Sequence, residues 1–240
     1  MVDNTAEGLE PSRREGEPAE PEAPRHREGR ASHLAFVAHE VRNPLSTALW
    51  SAELLARMPA AERGGPRGEK LAGMCLRALS RLRLLVEDHF LLERLDIGGI
   101  TVREEAVPLP ELLEAAAAHL PAGAVLRQEL EPDLLLQADR VLAERLLEAV
   151  LASAAREGGE VRVAARRQRG GIELRVQGAT PEADRLADPV RGSASESRGR
   201  ALSLPTARRV AAVLGGVLAA EPAEYRVLLP AHDGPASEGT

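Results

Sequence analysis

The sequence has few aromatic residues, almost no cysteine and no long apolar stretch. Only four of the 240 residues are aromatic, so a core must be built mainly from Leu, Val and Ala, which favours helices. The single cysteine excludes an intramolecular disulfide and a Cys-rich zinc site. No apolar run approaches the ~20 residues of a membrane-spanning helix, and the N-terminus has no signal-peptide core. These absences predict a soluble, cytoplasmic protein that does not enter the membrane.

The chain also lacks an excess of positive charge. Its formal net charge is −6 at pH 7, whereas a dedicated nucleic-acid binder is expected to be basic. Hydrophobic residues make up 44% of the sequence, enough for one ordinary domain or two small ones. Nucleic acid is therefore not an expected partner.

Composition divides the chain into four parts. Residues 1–30 are rich in Glu, Pro and Arg, which predicts a disordered tail, and residues 232–240 are interpreted in the same way. Residues 31–98 have the pattern of two helices, and residues 99–231 alternate between short strands and helices. The predicted fold is α+β: a helical hairpin followed by an α/β sandwich.

The hairpin is predicted from apolar residues spaced three and four apart. In the first helix these are Leu34, Val37, Val41, Leu45, Ala48, Ala52 and Leu55; in the second they are Leu71, Cys75, Ala78, Leu82, Leu85, His89 and Leu92. Pro59 and the Gly64-Gly65-Pro66 cluster separate the helices, and Gly98-Gly99 ends the second. Because one hairpin buries two such stripes poorly, we expect a homodimer in which two hairpins form a four-helix bundle.

The sandwich is predicted from four features. Asp139 is placed as the N-cap of a helix that runs to Arg156, and Gly170-Gly171 divides two alternating runs into a β-hairpin. The polar stretch 178–200 is interpreted as a long loop. A last helix over Ser203–Leu214 and two short strands, Val217–Ala220 and Tyr225–Leu229, complete the predicted domain.

One histidine of the first helix has neighbours suited to chemistry. His39 lies two residues before the apolar position Val41, so it is expected to face solvent, and Asn43 follows one turn later on the same face. Glu40 is adjacent and can hold the imidazole by a hydrogen bond, while Pro44 removes a backbone donor and is expected to kink the helix. An exposed neutral imidazole is a competent nucleophile. On spacing alone, however, a lone histidine on a helix is more often structural or idle than functional.

The stretch from Phe36 to Leu45 resembles the H-box of bacterial sensor histidine kinases, whose central pattern is H-E-[LIV]-R-[TN]-P-L. The resemblance continues through residues 31–230. It implies that His39 is phosphorylated on a ring nitrogen, that Glu40 assists transfer, and that Asn43 supports dephosphorylation of a response regulator. It also implies the dimeric four-helix bundle and a second domain of the histidine-kinase ATPase type.

The boxes that bind nucleotide in this family are degenerate here. In the N-box, Ser153 replaces the Asn that binds magnesium, and in the G1 box Gln177 replaces the Asp that recognises adenine. The G1 glycines are replaced by Ala179 and Pro181, and the G2 box keeps Gly199 but loses its other two glycines. Added β-carbons obstruct the approach of backbone amides to phosphate. Ser153, Gln177 and Gly199 are therefore only nominal nucleotide-binding positions.

We interpret the sequence as a histidine phosphotransferase of histidine-kinase ancestry. His39 would carry phosphate between the aspartates of receiver domains, with an upstream histidine kinase and a response regulator as partners and with no cofactor of its own. One alternative is a cytosolic histidine kinase that uses ATP and Mg²⁺. The other is a non-catalytic scaffold that binds a kinase or a response regulator.

Overall fold

The computed structural model describes residues 23–121, 123–156, 159–181, 183–187 and 202–232, with side chains from residue 34 onward except at 185 and 187. The helices are α1 (Ala23–Arg57), α2 (Ala60–Arg63), α3 (Pro66–Asp96), α4 (Leu109–Ala117), α5 (Arg140–Ala154), α6 (Ala183–Ala187) and α7 (Ser203–Val213). The strands are β1 (Glu105–Pro108), β2 (Val125–Leu130), β3 (Leu135–Ala138), β4 (Glu160–Gln168), β5 (Gly171–Gln177), β6 (Val217–Ala220) and β7 (Glu224–Leu229). No helix in these ranges is long and apolar enough to cross a bilayer.

Helices α1 and α3 form the predicted hairpin. Pro66 is the first residue of α3, where its fixed φ suits a helix and its missing N–H costs nothing. The buried residues Leu71, Ala78, Leu85 and Leu92 recur every seven positions, which keeps one face of α3 against α1. The Cys75 thiol donates to the Ala48 carbonyl across the hairpin at 3.5 Å.

Helix α1 extends further than its apolar pattern indicates. It begins at Ala23, so residues 23–30 of the segment expected to be disordered are helical, and residues 1–22 lie outside the described residues. The residues before Leu34 include Ala, Arg and Glu, which have high helix propensity. Pro44 lies inside α1 and does not end it.

The second unit has the predicted α/β architecture. Its main sheet has the order β2-β4-β5-β7-β6; β2 and β4 are parallel, and the other neighbours are antiparallel. Strands β1 and β3 form a separate antiparallel pair. Along β4 the residues Val161, Val163 and Ala165 are buried, while the residues between them are exposed, so one face of the sheet holds the core. Helices α4, α5 and α7 contribute buried residues to the same core. The α+β fold predicted from the sequence is confirmed.

The structure differs from two predictions for this unit, one on where it ends and one on a loop within it. His232, assigned to the C-terminal tail, is packed: its backbone N–H donates to Leu135 and its Nδ1 lies 2.6 Å from Gln137 Oε1. The segment predicted as a long loop contains the short helix α6. Residues 188–201, which include Gly199, lie outside the described residues.

The outer face of the sheet contains arginines that form ion pairs with a buried glutamate. Glu173 on β5 is 1% exposed and is bonded by Arg166, Arg175 and Arg226 at 2.6–3.3 Å. Burial alone would raise the pKa of Glu173, but the hydrogen bonds from Arg166 and Arg175 and the neighbouring charges outweigh it and hold this pKa below its usual value. These three arginines are thus engaged with a carboxylate.

Candidate functional site

His39 and Asn43 lie on the exposed side of α1, as the spacing predicted. Glu40 lies on another side of the helix and is only 3% exposed, because its position faces α3. The imidazole is therefore accessible to a macromolecular partner, while the neighbouring carboxylate is enclosed within the hairpin.

Helix α1 has an apolar stripe that its own chain leaves exposed. The stripe consists of Leu34, Leu45 and Leu49, all about half exposed. The α3-facing side contains the buried residues Ala48 and Ser51. At 100° per residue the exposed stripe is centred roughly 110° from the α3-facing side. A helix in a four-helix bundle needs two such adjacent faces, one for each neighbour.

The remaining outward face of α1 contains His39, Asn43 and Trp50. Trp50 follows His39 by 11 residues, which is about three turns, or ~16 Å along the helix. Its side chain is 55% exposed. Since this face points away from both apolar faces, it stays open when the apolar stripe is covered.

Helix α5 places Ser153 in the interior of the α/β unit. The Asp139 side chain accepts a hydrogen bond from the Leu142 N–H and caps the helix, as predicted. About four turns after Asp139, the Ser153 hydroxyl lies 2.9 Å from the Tyr225 hydroxyl of β7. Ser153 is 8% exposed and Tyr225 is fully buried. The hydroxyl at the nominal magnesium position is therefore engaged with a core tyrosine.

Gln177, at the end of β5, also has a partner within the chain. Its side-chain amide donates to Glu224 Oε2 at 2.9 Å, across the β5–β7 ladder in which these two residues are paired. At the nominal adenine position the structure thus has an amide bonded to a mostly buried carboxylate.

The segment after Gln177 is fastened to the end of α5. The Ala179 N–H donates to the Ala154 carbonyl at 2.8 Å, and the Arg156 guanidinium donates to the Thr180 carbonyl. Gly178 lies so close to α5 that a Cβ there would be 2.4 Å from the Ala154 oxygen. The G1 segment is packed onto the helix at this point, and Gly199 of the G2 box is outside the described residues.

Sequence reasoning did not find Tyr225 and Glu224 as partners of the two nominal site residues. A signal for Tyr225 was present, because the only tyrosine of the sequence lies in a predicted strand, and a buried tyrosine hydroxyl needs a hydrogen-bond partner. The predicted last strand began one residue after Glu224. The pairing of Glu224 with Gln177 also depends on β7 lying beside β5 in the sheet.

The hairpin matches the family model described as "His Kinase A (phospho-acceptor) domain" over residues 30–98. The hairpin is therefore similar to a HisKA domain. The matched range contains His39, Glu40 and Asn43, and the histidine-kinase resemblance of the H-box is confirmed.

Most of the chain resembles solved histidine kinases in fold. The histidine kinase AdeS of Acinetobacter baumannii is 16% identical, with a TM-score of 0.58, and the match covers 81% of this chain and 98% of that one. Full-length ShkA in complex with AMPPNP is 21% identical, with a TM-score of 0.57, over 85% of this chain and 46% of that one. The hairpin and the α/β unit that follows it thus share the fold of these two kinases over about four-fifths of the chain.

Proposed function

We propose that this HisKA-domain protein is a histidine phosphotransferase. His39 accepts a phosphoryl group from the aspartyl phosphate of one receiver domain and passes it to the aspartate of another. The observation that carries the proposal is a contrast within the chain: the His39 face is open, whereas the side chains at the nominal nucleotide positions are bonded to residues of the protein itself.

The transfer requires a nucleophile that a receiver can approach. The unprotonated ring nitrogen of His39 attacks phosphorus, a P–N bond forms, and the bond between phosphorus and the aspartyl oxygen breaks with release of the carboxylate. The reverse reaction on a second receiver regenerates the imidazole. Asn43, one turn away, is positioned to orient a water or an incoming carboxylate beside the ring.

The residues at the nominal ATP site do not fit ATP with Mg²⁺. Ser153 offers a hydroxyl that is shared with Tyr225, and Ala149 offers no metal ligand. Gln177 is held by Glu224, and the G1 segment is fastened onto α5. We therefore derive no step of the reaction through ATP.

A homodimer completes the proposal. The exposed stripe of Leu34, Leu45 and Leu49 is apolar and lies beside the α3-facing side, as a symmetric bundle requires. Response regulators or other receiver-domain proteins are the proposed partners, approaching from the outward face of α1.

The proposal is tested by offering two phosphoryl donors to the purified full chain. The donors are radiolabelled ATP with Mg²⁺ and labelled receiver domains previously loaded with acetyl phosphate. We expect acid-labile label from a receiver, none from ATP, and no saturable ATP binding below about 1 mM in equilibrium dialysis. Label from ATP on the histidine would identify a kinase, and label from neither donor would favour a scaffold.

Replacing Asn43 separates its role from that of His39. In Asn43→Ala we expect loss of phosphate from the partner receiver to slow roughly tenfold or more, because the group that orients water is removed. Loading of His39 should change little, since the nucleophile is intact. Ser46→Ala, an exposed polar residue on the same side of α1, is the matched control and should behave as wild type. Equal dephosphorylation rates in all three proteins would remove this role from Asn43.

A further inference from the structure

Asp88 is a buried carboxylate at the junction between the hairpin and the α/β unit. It lies on α3 and is 2% exposed. Its Oδ2 accepts from the Ser203 hydroxyl at 2.7 Å, and its Oδ1 accepts from the Arg145 guanidinium at 3.1 Å. The Thr206 hydroxyl donates to the Asp88 backbone carbonyl at 3.4 Å. Each oxygen of the residue thus meets a donor from the other unit.

These donors belong to two different helices of the α/β unit. Arg145 is on α5, while Ser203 and Thr206 are on α7, so Asp88 lies between them. The cavity that α3, α5 and α7 share at this point is only about 10 Å³. That volume is at or below what one water molecule needs. The Asp88 side chain therefore fills the gap between the two helices.

The surroundings of Asp88 suit an anion. Ser203 is the first residue of α7, and the N-terminal end of a helix favours negative charge. Arg145 supplies a full positive charge. Burial raises the pKa of Asp88 above its usual value, while the Ser203 hydrogen bond and the Arg145 charge act in the opposite direction.

Apolar contacts accompany this polar cluster. Leu95 of α3 is part of the core of the α/β unit, and Leu91 packs against that core. About two helical turns beyond Asp88 along α3, an exposed ion pair between Asp96 and Arg209, at 3.0 Å, also joins α3 to α7. The end of α3 is therefore shared between the two units.

We propose that Asp88 is an internal anionic ligand that occupies the groove between α5 and α7 and fixes the α/β unit on α3. Two residues that border this groove belong to the degenerate boxes: Ala149 begins the N-box, which ends at Ala154, and Ser203 replaces the last glycine of the G2 box. The groove next to the nominal nucleotide site is thus closed by a carboxylate of the hairpin. The α/β unit is thereby held in a fixed position against α3, whereas His39 lies on α1. This inference goes beyond the proposed function and does not depend on phosphoryl transfer.

The test is amide hydrogen exchange on the full-length protein, with small-angle scattering on the same samples. In Asp88→Ala we expect exchange in the first turn of α7 and around residue 88 of α3 to accelerate roughly tenfold or more, because charge-assisted hydrogen bonds are lost. The radius of gyration should increase as the units separate. Asp88→Asn should give a smaller effect, since an amide can still bond Ser203 but does not neutralise Arg145.

Glu87→Gln is the matched control. Glu87 is adjacent to Asp88 and also contacts Arg145, at 3.3 Å, but its side chain is 48% exposed, so its loss should leave exchange and shape unchanged. The proposal is overturned if Asp88→Ala behaves like Glu87→Gln. If amides of β5 and β7 also lose protection, Asp88→Ala has unfolded the unit, and Ser203→Ala decides instead. Undiminished protection of α7 in that milder variant would likewise overturn the proposal.

Discussion

A His39→Gln variant is expected to lose all detectable phosphoryl acceptance and to keep its fold and its dimer. Glutamine is polar, suits a helix and replaces an exposed side chain, so the free energy of unfolding should change by less than about 0.5 kcal/mol. It has no nitrogen lone pair that can attack phosphorus. The measurement is acid-labile label after incubation with a phosphorylated receiver, together with sedimentation to determine the dimer content.

His89→Gln provides the matched control for this experiment. His89 is also on the hairpin, but it lies on α3, is only partly exposed and packs beside the Phe90 ring at a centroid distance of 5.8 Å. Its replacement should leave acceptance intact. Label that survives in His39→Gln and disappears in His89→Gln would move the acceptor to α3 and refute the assignment.

The fold could be predicted because its signals are local and repeated. The stripe of α3 repeats every seven residues, Asp139 caps α5, and Gly170 with positive φ turns β4 into β5. The start of α1 could not be placed in the same way. The apolar pattern of α1 begins only at Leu34, so it contains no information about where the helix starts before that residue.

The surroundings of the candidate site could be predicted only in part. The exposure of His39 and Asn43 follows from helical geometry, so the sequence was sufficient for it. The partners of Ser153 and Gln177 depend on β7 lying beside β5, which no local pattern determines. The sequence did contain a signal that Asp88 is buried. Asp88 is a charged residue on the buried stripe of α3, three positions after Leu85 and four before Leu92. Its donors, however, are 57 and 115 residues away.

Neighbouring residues on α1 allow a sharp test of the dimer. Leu49 is on the apolar stripe and Trp50 is on the outward face with His39, although both side chains are more than half exposed in the single chain. In the proposed homodimer, Leu49→Arg would place an unpaired guanidinium in the interface of each protomer, and two-fold symmetry would introduce this penalty twice. We expect the dimer dissociation constant to rise by roughly 10³-fold or more, as measured by sedimentation equilibrium.

Trp50→Arg is the matched control and should leave the dimer dissociation constant within about threefold of wild type, because its side chain points away from both apolar faces. Dissociation by Trp50→Arg and not by Leu49→Arg would show that the bundle closes on the His39 face, and a receiver could then not reach the imidazole of the dimer.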